Sequence, residues 1–241
     1  MILNRECETM PKKSSELVRQ LSHYGFFRFT DAYWQAASTN REAFLNQLHD
    51  ELPRLAEKVY LYRIYPTRVN ADLMIWSALN IANTNAPRQF FSGSGACTSK
   101  WRKYLEPVDA LWGFTRPSLY STGKSAQELD PFEPRRKSYL VVYPFTKTAD
   151  WYLMSREERQ AMMNEHIKTG RQYPEISQLL LYSTGLQDQE FVVVYETADL
   201  THFSQLVSAL RETEGRKYTL RDTPIYTAIY SPLEDIISEW A

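Results

Sequence analysis

Residues Ser138 to Gly170 read SYLVVYPFTKTADWYLMSREERQAMMNEHIKTG, and this run decides the fold. Ser138 to Phe145 is β-branched, aromatic and uncharged, which is strand chemistry. Pro144 is expected to block further pairing, leaving Lys147 in the following loop. Ser155 then precedes Glu158 by three residues, the spacing of a capping box, and Gly170 stands where a helix should stop. A strand thus feeds a helix. His166 follows Met162 by four and Met163 by three, on one helix face. On spacing alone, an apolar-face histidine is more often a hydrogen-bonded core residue than a ligand.

The same order of elements continues outward in both directions. Downstream, QLLLYST and EFVVVYE are strands joined by GLQDQ. Phe203, Leu206, Val207 and Leu210 share one helix face ending near Gly215. Ile225 to Tyr230 is a last strand, and Pro232 opens a short terminal helix. Upstream, Tyr24 to Thr30 is a strand, and Thr39 and Glu42 stand in capping-box spacing ahead of a helix bearing Phe44, Leu45, Leu48 and Leu52. Val59 to Tyr65 and Asp72 to Leu79 are strands, a partly helical region follows, and Ala110 to Thr115 is a strand.

Each half therefore reads β-α-β-β-α-β, the ferredoxin-like arrangement. Helices cover one sheet face per half, so the other faces must bury each other. The expected fold class is α+β, with tandem ferredoxin-like halves forming a dimeric-α/β-barrel-type domain. Residues 1–120 form the N-terminal half, 121–137 a polar, proline-bearing linker loop, and 138–241 the C-terminal half. Linkers of this length inside a compact domain are often functional.

Composition narrows the class. The 241 residues are 43 % hydrophobic and 24 % charged, with net charge -1, so a packed globular chain is expected. No broad positive field draws it to nucleic acid or anionic membrane. No apolar run approaches the ~20 residues of a membrane span, and the N-terminus lacks a secretory apolar core. Cys7 and Cys97 have no metal-ligand spacing and read as reduced thiols, which makes a cytoplasmic location the expectation. Aromatics reach 14 %, with 16 Tyr and 6 Trp. That surplus suits either a ring-rich core or a pocket for a large flat ligand.

Few residues could carry chemistry. Of the four histidines, His23 precedes a strand, His49 lies toward a polar helix side and His202 faces solvent at a helix start. HExxH, GxxxxGK[ST] and GxSxG motifs are all missing. The basic run Arg135-Arg136-Lys137 reads as a solvated loop. If His166 binds a metal, other ligands must come from elsewhere; a porphyrin supplies four nitrogens and needs only one imidazole. Tyr143 and Lys147, at one strand end, could bind a carboxylate or put a redox-active phenol beside a cofactor.

Together YPFTK (143–147), MMNEH (162–166) and STGLQDQEF (183–191) resemble the heme-binding half of the chlorite dismutase superfamily, which includes the coproheme decarboxylases. YLYRIYPTRVNADLMIWSAL and LEPVDALWGFTRPSLY resemble its first half, so the likeness spans most of residues 55 to 230. The resemblance implies heme b or coproheme as cofactor and a homo-oligomer, commonly a pentamer. It makes His166 the proximal iron ligand and Glu214 the acid on that histidine's other nitrogen. Tyr143 and Lys147 fall beside the propionates, Tyr143 being the radical-forming residue of the decarboxylases. Ser118 and Tyr120 could border the propionates. Chlorite-degrading members carry a distal arginine five residues before the serine of the STG motif; that place is Gln178 here.

The expected function is a heme-dependent oxidoreductase: a peroxide-dependent coproheme decarboxylase or related peroxidase, with Tyr143 and Gln178 as catalytic residues. Its partners are porphyrin and peroxide or chlorite. The alternatives are a chlorite dismutase that forms chloride and dioxygen, a non-catalytic heme carrier or sensor, and a ferredoxin-like protein that has lost heme.

Overall fold

The structure, a computed structural model, describes residues 20–120 and 125–241; Cys7 and linker positions 121–124 lie outside them. The first half supplies β1 (Gln20–Phe29), β2 (Lys58–Arg63), β3 (Leu73–Asn80) and β4 (Leu105–Phe114). It also holds α1 (Asp31–Trp34), α2 (Ser38–Glu51) and α3 (Ala86–Trp101). The second half supplies β5 (Tyr139–Lys147), β6 (Ser177–Tyr182), β7 (Phe191–Thr197), β8 (Thr219–Arg221) and β9 (Tyr226–Tyr230). Its helices are α4 (Ala149–Leu153), α5 (Arg156–Gly170), α6 (Leu200–Arg211) and α7 (Leu233–Trp240).

The strand order is β7-β6-β4-β1-β3-β2-β9-β5-β8, and β7 also pairs with β5. Eight strands therefore close into a ring. Its two arcs, β4-β1-β3-β2 and β9-β5-β7-β6, follow the same first-to-last pattern, so the ferredoxin-like topology occurs twice. Two short seams join the arcs: Tyr62 and Arg63 face Tyr230 and Ile229, and Phe114 faces Tyr182. At the second seam side chains do much of the joining. Ser183 Oγ donates to the Trp112 carbonyl (2.5 Å), and Gln187 both accepts from Trp112 N–H (3.0 Å) and donates to the Ala110 carbonyl (2.9 Å). Gly113 permits the close approach, since a Cβ there would lie 2.7 Å from Ser183 Oγ.

Strand alternation sorts the side chains. Inward residues from both arcs, among them Phe26, Tyr62, Trp76, Leu140, Val142, Leu181 and Val194, form one core inside the ring. Outward residues of the first arc, including Phe29, Leu61 and Ile75, pack under α2 and α7. The sheet-to-sheet burial expected from sequence is present.

Several local readings change. Helix α2 starts after Ala37 with no side-chain cap, so Thr39 and Glu42 form no capping box. Ser155 and Glu158 do form one, in both directions. Gly170 is the last helical residue rather than a left-handed stop, and α6 ends at Arg211, ahead of Gly215. His23 lies within β1, paired with Ser77 and Trp112 and set edge-on to Phe90. Burial pushes its pKa down to about 4. β5 does not stop at Pro144 but runs to Lys147. Its pairing with β9 has ended by Val142, leaving an edge where proline is tolerated.

The basic run of the linker is the largest correction. Only Arg135 is solvated, at 94 % side-chain exposure. Arg136 is 1 % exposed, lies 3.6 Å from Glu196 and sits over the Tyr60 and Trp76 rings. Lys137 Nζ donates to the Glu175 carbonyl (2.6 Å) and to Ser177 Oγ (2.9 Å). The linker thus plugs one mouth of the ring.

Candidate functional site

The outward face of the second arc is assembled by register. Val141 faces Tyr195, Tyr143 faces Val193 and Phe145 faces Phe191 across β5 and β7. Across β6 and β7, Gln178 faces Tyr195, Leu180 faces Val193 and Tyr182 faces Phe191. These residues share one side of the sheet. At one end of it, α6 covers Val141 and Tyr195, and Ile176 and Leu206 complete a buried cluster. Toward the other end the face stays open: Leu180 is 43 % exposed, and Tyr143, Phe145, Tyr182, Phe191 and Val193 are only half-buried.

Helix α5 lies close enough to this face for Lys147 of β5 to act on His166. It rests on α6 and on the turn Glu214–Tyr218, and none of its residues is fully buried. Arg159, Gln160, Met162, Met163, His166, Ile167, Thr169 and Gly170 form a broad half-buried face. The apolar core face expected for Met162, Met163 and His166 is therefore absent. We take the half-buried helix face and the half-buried aromatic sheet face as the two walls of a slot. A flat apolar ligand fits such a slot, because a packed core would have buried both walls.

His166 presents its imidazole on the helix wall. Burial holds its pKa below the ordinary 6.5, and the charge of Lys147 adds to that, with Glu165 opposing. A neutral imidazole is the form that ligates metal. Lys147, on β5, ends the sheet wall. Its N–H donates to Glu190 Oε2 (2.8 Å), and its Nζ donates to the Gly215 carbonyl (3.2 Å) and lies 4.0 Å from the Trp151 ring centre. Burial, helped by Arg216, pulls its pKa down to about 8. A half-desolvated ammonium with one carbonyl partner suits a ligand carboxylate.

Tyr143 lies near Lys147 on the sheet wall. Its phenol is hydrogen-bonded to Tyr195, the rings are stacked, and burial raises its pKa far above the ordinary value. Arg211 and Asp222 act on it electrostatically, and Asp222 accepts from Arg216 at 2.6 Å. Sequence reasoning missed Arg211, Arg216 and Tyr195, since none stands in a motif. Tyr120 closes the slot's side: its carbonyl accepts from Gln160 (3.0 Å) and its ring lies 6.4 Å from that of Trp151. Ser118 Oγ accepts from Tyr120 N–H (3.1 Å), while Arg116 sits over the Tyr182 ring.

Glu214 makes no hydrogen bond to His166. Its carboxylate takes Lys217 Nζ (2.7 Å), and its N–H donates to Glu165 Oε2 (3.0 Å). Glu165 is the acid whose charge acts on His166. His202 is only part-exposed and its Nδ1 lies 2.7 Å from Glu175, away from the slot. Among the described residues no cluster of three metal-ligating side chains occurs. The donor set, one neutral imidazole in an aromatic slot with a cation at its edge, therefore fits a metalloporphyrin better than a bare metal ion.

The chlorite dismutase family profile matches residues 35–231. This chain belongs to the chlorite dismutase family. It is 29 % identical to a coproheme decarboxylase from Mycolicibacterium smegmatis over 179 residues, 74 % of this chain and 75 % of the relative. It is 23 % identical to a chlorite dismutase from Ideonella dechloratans over 226 residues, covering 89 % and 77 %. The chlorite dismutase from Candidatus Nitrospira defluvii in complex with imidazole superposes with a TM-score of 0.78 at 21 % identity, over 92 % of this chain and 94 % of that one. The last likeness speaks for the fold alone. Members of the family are heme-dependent enzymes, so the heme-dependent oxidoreductase class expected from sequence stands. Among the described residues, no helix is long and apolar enough to cross a membrane.

Proposed function

We propose that this protein is a peroxide-dependent coproheme decarboxylase, in which His166 would hold the iron. One observation carries the reading: Gln178, five residues before Ser183, shares a side of the sheet with Leu180, Tyr143, Tyr182 and Val193, and none of these five is charged. Uncharged Gln178 can hydrogen-bond peroxide but cannot hold a chlorite anion by charge. The relative from Staphylococcus carnosus named coproheme decarboxylase, 29 % identical over 204 residues, points the same way.

The bound iron porphyrin would supply the peroxide-driven oxidising power and would itself be the substrate. Each of two reacting propionates would lose carbon dioxide, one proton and two electrons to leave a vinyl group. Hydrogen peroxide takes up those electrons with two protons and becomes two waters. The chain's residues position and relay. Lys147 anchors a propionate carboxylate, with Ser118 and Tyr120 at the border. The Tyr143 phenol, kept protonated by burial, stands on the same wall to give up a hydrogen atom and recover one from the propionate side chain. Aromatic walls exclude water from the reacting edge. The charge of Glu165 acts on His166 and supports the imidazole.

The repeated strand order supports a boundary between halves at 1–120 and 138–241, with 121–137 as linker. A homo-oligomer is part of the same reading, a pentamer being the assembly we favour. A cytoplasmic location completes the reading.

The test is optical and analytical. Purified protein is titrated with coproheme and with heme b, peroxide is added, and the porphyrin is weighed by mass spectrometry. A Soret band with coproheme followed by loss of two carboxyl groups is expected. Dioxygen release from chlorite without decarboxylation would assign the chlorite reaction instead, and no spectral change with either porphyrin would overturn the heme reading.

A further inference from the structure

Gln127 belongs to none of the motifs above, yet it touches both walls' supports at once. After α5 ends at Gly170, the chain turns through residues 171–176 before β6 begins. The carbonyls of Gly170, Tyr173 and Ile176 all converge on Gln127 Nε2, at 3.3, 2.8 and 3.2 Å. The Gln127 carbonyl also accepts from Gln178 N–H (2.7 Å), and Leu129 N–H donates to the Gln178 carbonyl (2.9 Å). The linker thus adds a short parallel bridge to β6 at Gln178.

β6 needs this. β4 pairs with it only at Tyr182, so at Gln178 the edge away from β7 would otherwise be bare. The linker in turn is anchored from behind. Leu129 is buried in the ring core, Lys137 grips Glu175 and Ser177, and Arg136 lies against Glu196, which faces Ser177 across the ladder.

We propose that Gln127 is a positioning residue that fixes Gln178 relative to the end of the helix carrying His166. The inference rests on the heme reading above, since it assigns the gap between those two residues to the bound porphyrin. One side chain closes the connection from α5 to β6, and its own backbone sets the edge from which Gln178 projects. Loss of its amide donors leaves three carbonyls without that partner and frees the turn between the walls.

The test uses the full chain loaded with ferric heme, with fluoride as a distal ligand that accepts a hydrogen bond. Gln127→Met keeps the length of the side chain and removes its donors; Gln127→Asn retains a shorter donor, and Gln178→Leu removes the distal amide. We expect the Soret band to persist in all variants. Fluoride affinity should fall roughly three- to tenfold in Gln127→Met, the scale of one hydrogen bond. Gln178→Leu should fall similarly, and the double variant no further, because both changes remove one interaction. Gln127→Asn should recover part of the loss. Hydrogen exchange on the ligand-free protein should show the Gln178 and Leu129 amides opening in Gln127→Met, whereas Leu181 stays protected. A persistent Soret band with unchanged fluoride affinity, or with losses that add in full, would overturn the positioning role while sparing the heme reading. Absence of a Soret band in the wild type would overturn both.

Discussion

Lys147 Nζ lies 4.0 Å from the centre of the Trp151 ring, and the same ammonium depresses the titration of His166. The cation at the slot's edge is therefore held against an aromatic face and not against an acid. In the folded chain it titrates at about 8 against an ordinary 10.5. Below about 8 the folded state bears the full cost of the half-buried charge. Between 8 and 10.5 only the unfolded chain stays protonated there, so this residue makes stability rise with pH. Lys147→Met should flatten that rise in ligand-free protein, read from unfolding midpoints across pH 7 to 10. The same change should weaken coproheme binding by roughly 10- to 100-fold, the scale of a charge-assisted hydrogen bond. Wild-type affinity should itself decline as pH passes about 8.

His166 makes a prediction of the same sign on the acid side. Its folded pKa lies below 6.5, so on acidification the unfolded chain takes up a proton first. Its contribution to stability therefore declines as pH falls below about 6.5. His166→Phe should remove that part of the acid destabilisation. His166→Ala should lose the axial ligand, shift the Soret band and weaken porphyrin binding at least about tenfold; added imidazole should restore the band. Normal heme spectra in His166→Ala would sink the ligand assignment.

Tyr143→Phe isolates the phenol. Hydrophobic contact with Tyr195 is kept and the hydroxyl is lost, so coproheme should bind within about twofold of wild type. Decarboxylation should slow by about a hundredfold or more, equivalent to ~2.7 kcal/mol of barrier. Single-turnover mass analysis after peroxide addition measures it. Unimpaired loss of carboxyl groups would remove Tyr143 from the relay.

Gln178 offers a gain-of-function test. It is exposed on the sheet wall, with its backbone already fixed by the linker. Gln178→Arg puts a cation where the chain has an uncharged amide, so dioxygen release from chlorite should rise about tenfold or more, followed with an oxygen electrode. Decarboxylation should not improve. A variant inert toward chlorite would show that charge at this position is not what limits that reaction.

Much of this architecture was readable because it follows local rules. Ser155 and Glu158 announce α5 through capping chemistry, and the alternation in β5 to β7 assigns their faces. His166 was legible only as a motif residue, because α5 carries no apolar stripe to place it. The linker was opaque for a physical reason. Arg136 sits in a polar, aperiodic segment, and nothing local says that a guanidinium there will be desolvated between two rings. Pro144 misled similarly: its effect on a strand depends on whether a neighbour is still paired, and sequence does not show that β9 has ended.

Arg136 and Glu196 give the stability prediction that follows from that hidden plug. Their side chains are 1 % and 5 % exposed, and their nearest charged atoms lie 3.6 Å apart. Arg136 Nε and Nη2 donate to the carbonyls of Arg135 and Asp130, at 2.9 and 3.0 Å. Burial pushes the Glu196 carboxyl up, while Arg136 opposes it. Removing only the cation leaves a buried carboxylate without its partner, so Arg136→Met should destabilise by about 3–5 kcal/mol at pH 8. Because the orphaned carboxyl can then protonate, the deficit should shrink as pH is lowered. Glu196→Leu alone should also destabilise, through the stranded guanidinium. The double variant Arg136→Met with Glu196→Leu removes both charges together. It should recover most of the loss, since a desolvated ion pair contributes little net stability over apolar packing. Urea unfolding of the four proteins at pH 6 and pH 8 measures the cycle. Additive losses in the double variant would mean that the two side chains act independently, and that the plug is held by the linker's backbone contacts instead.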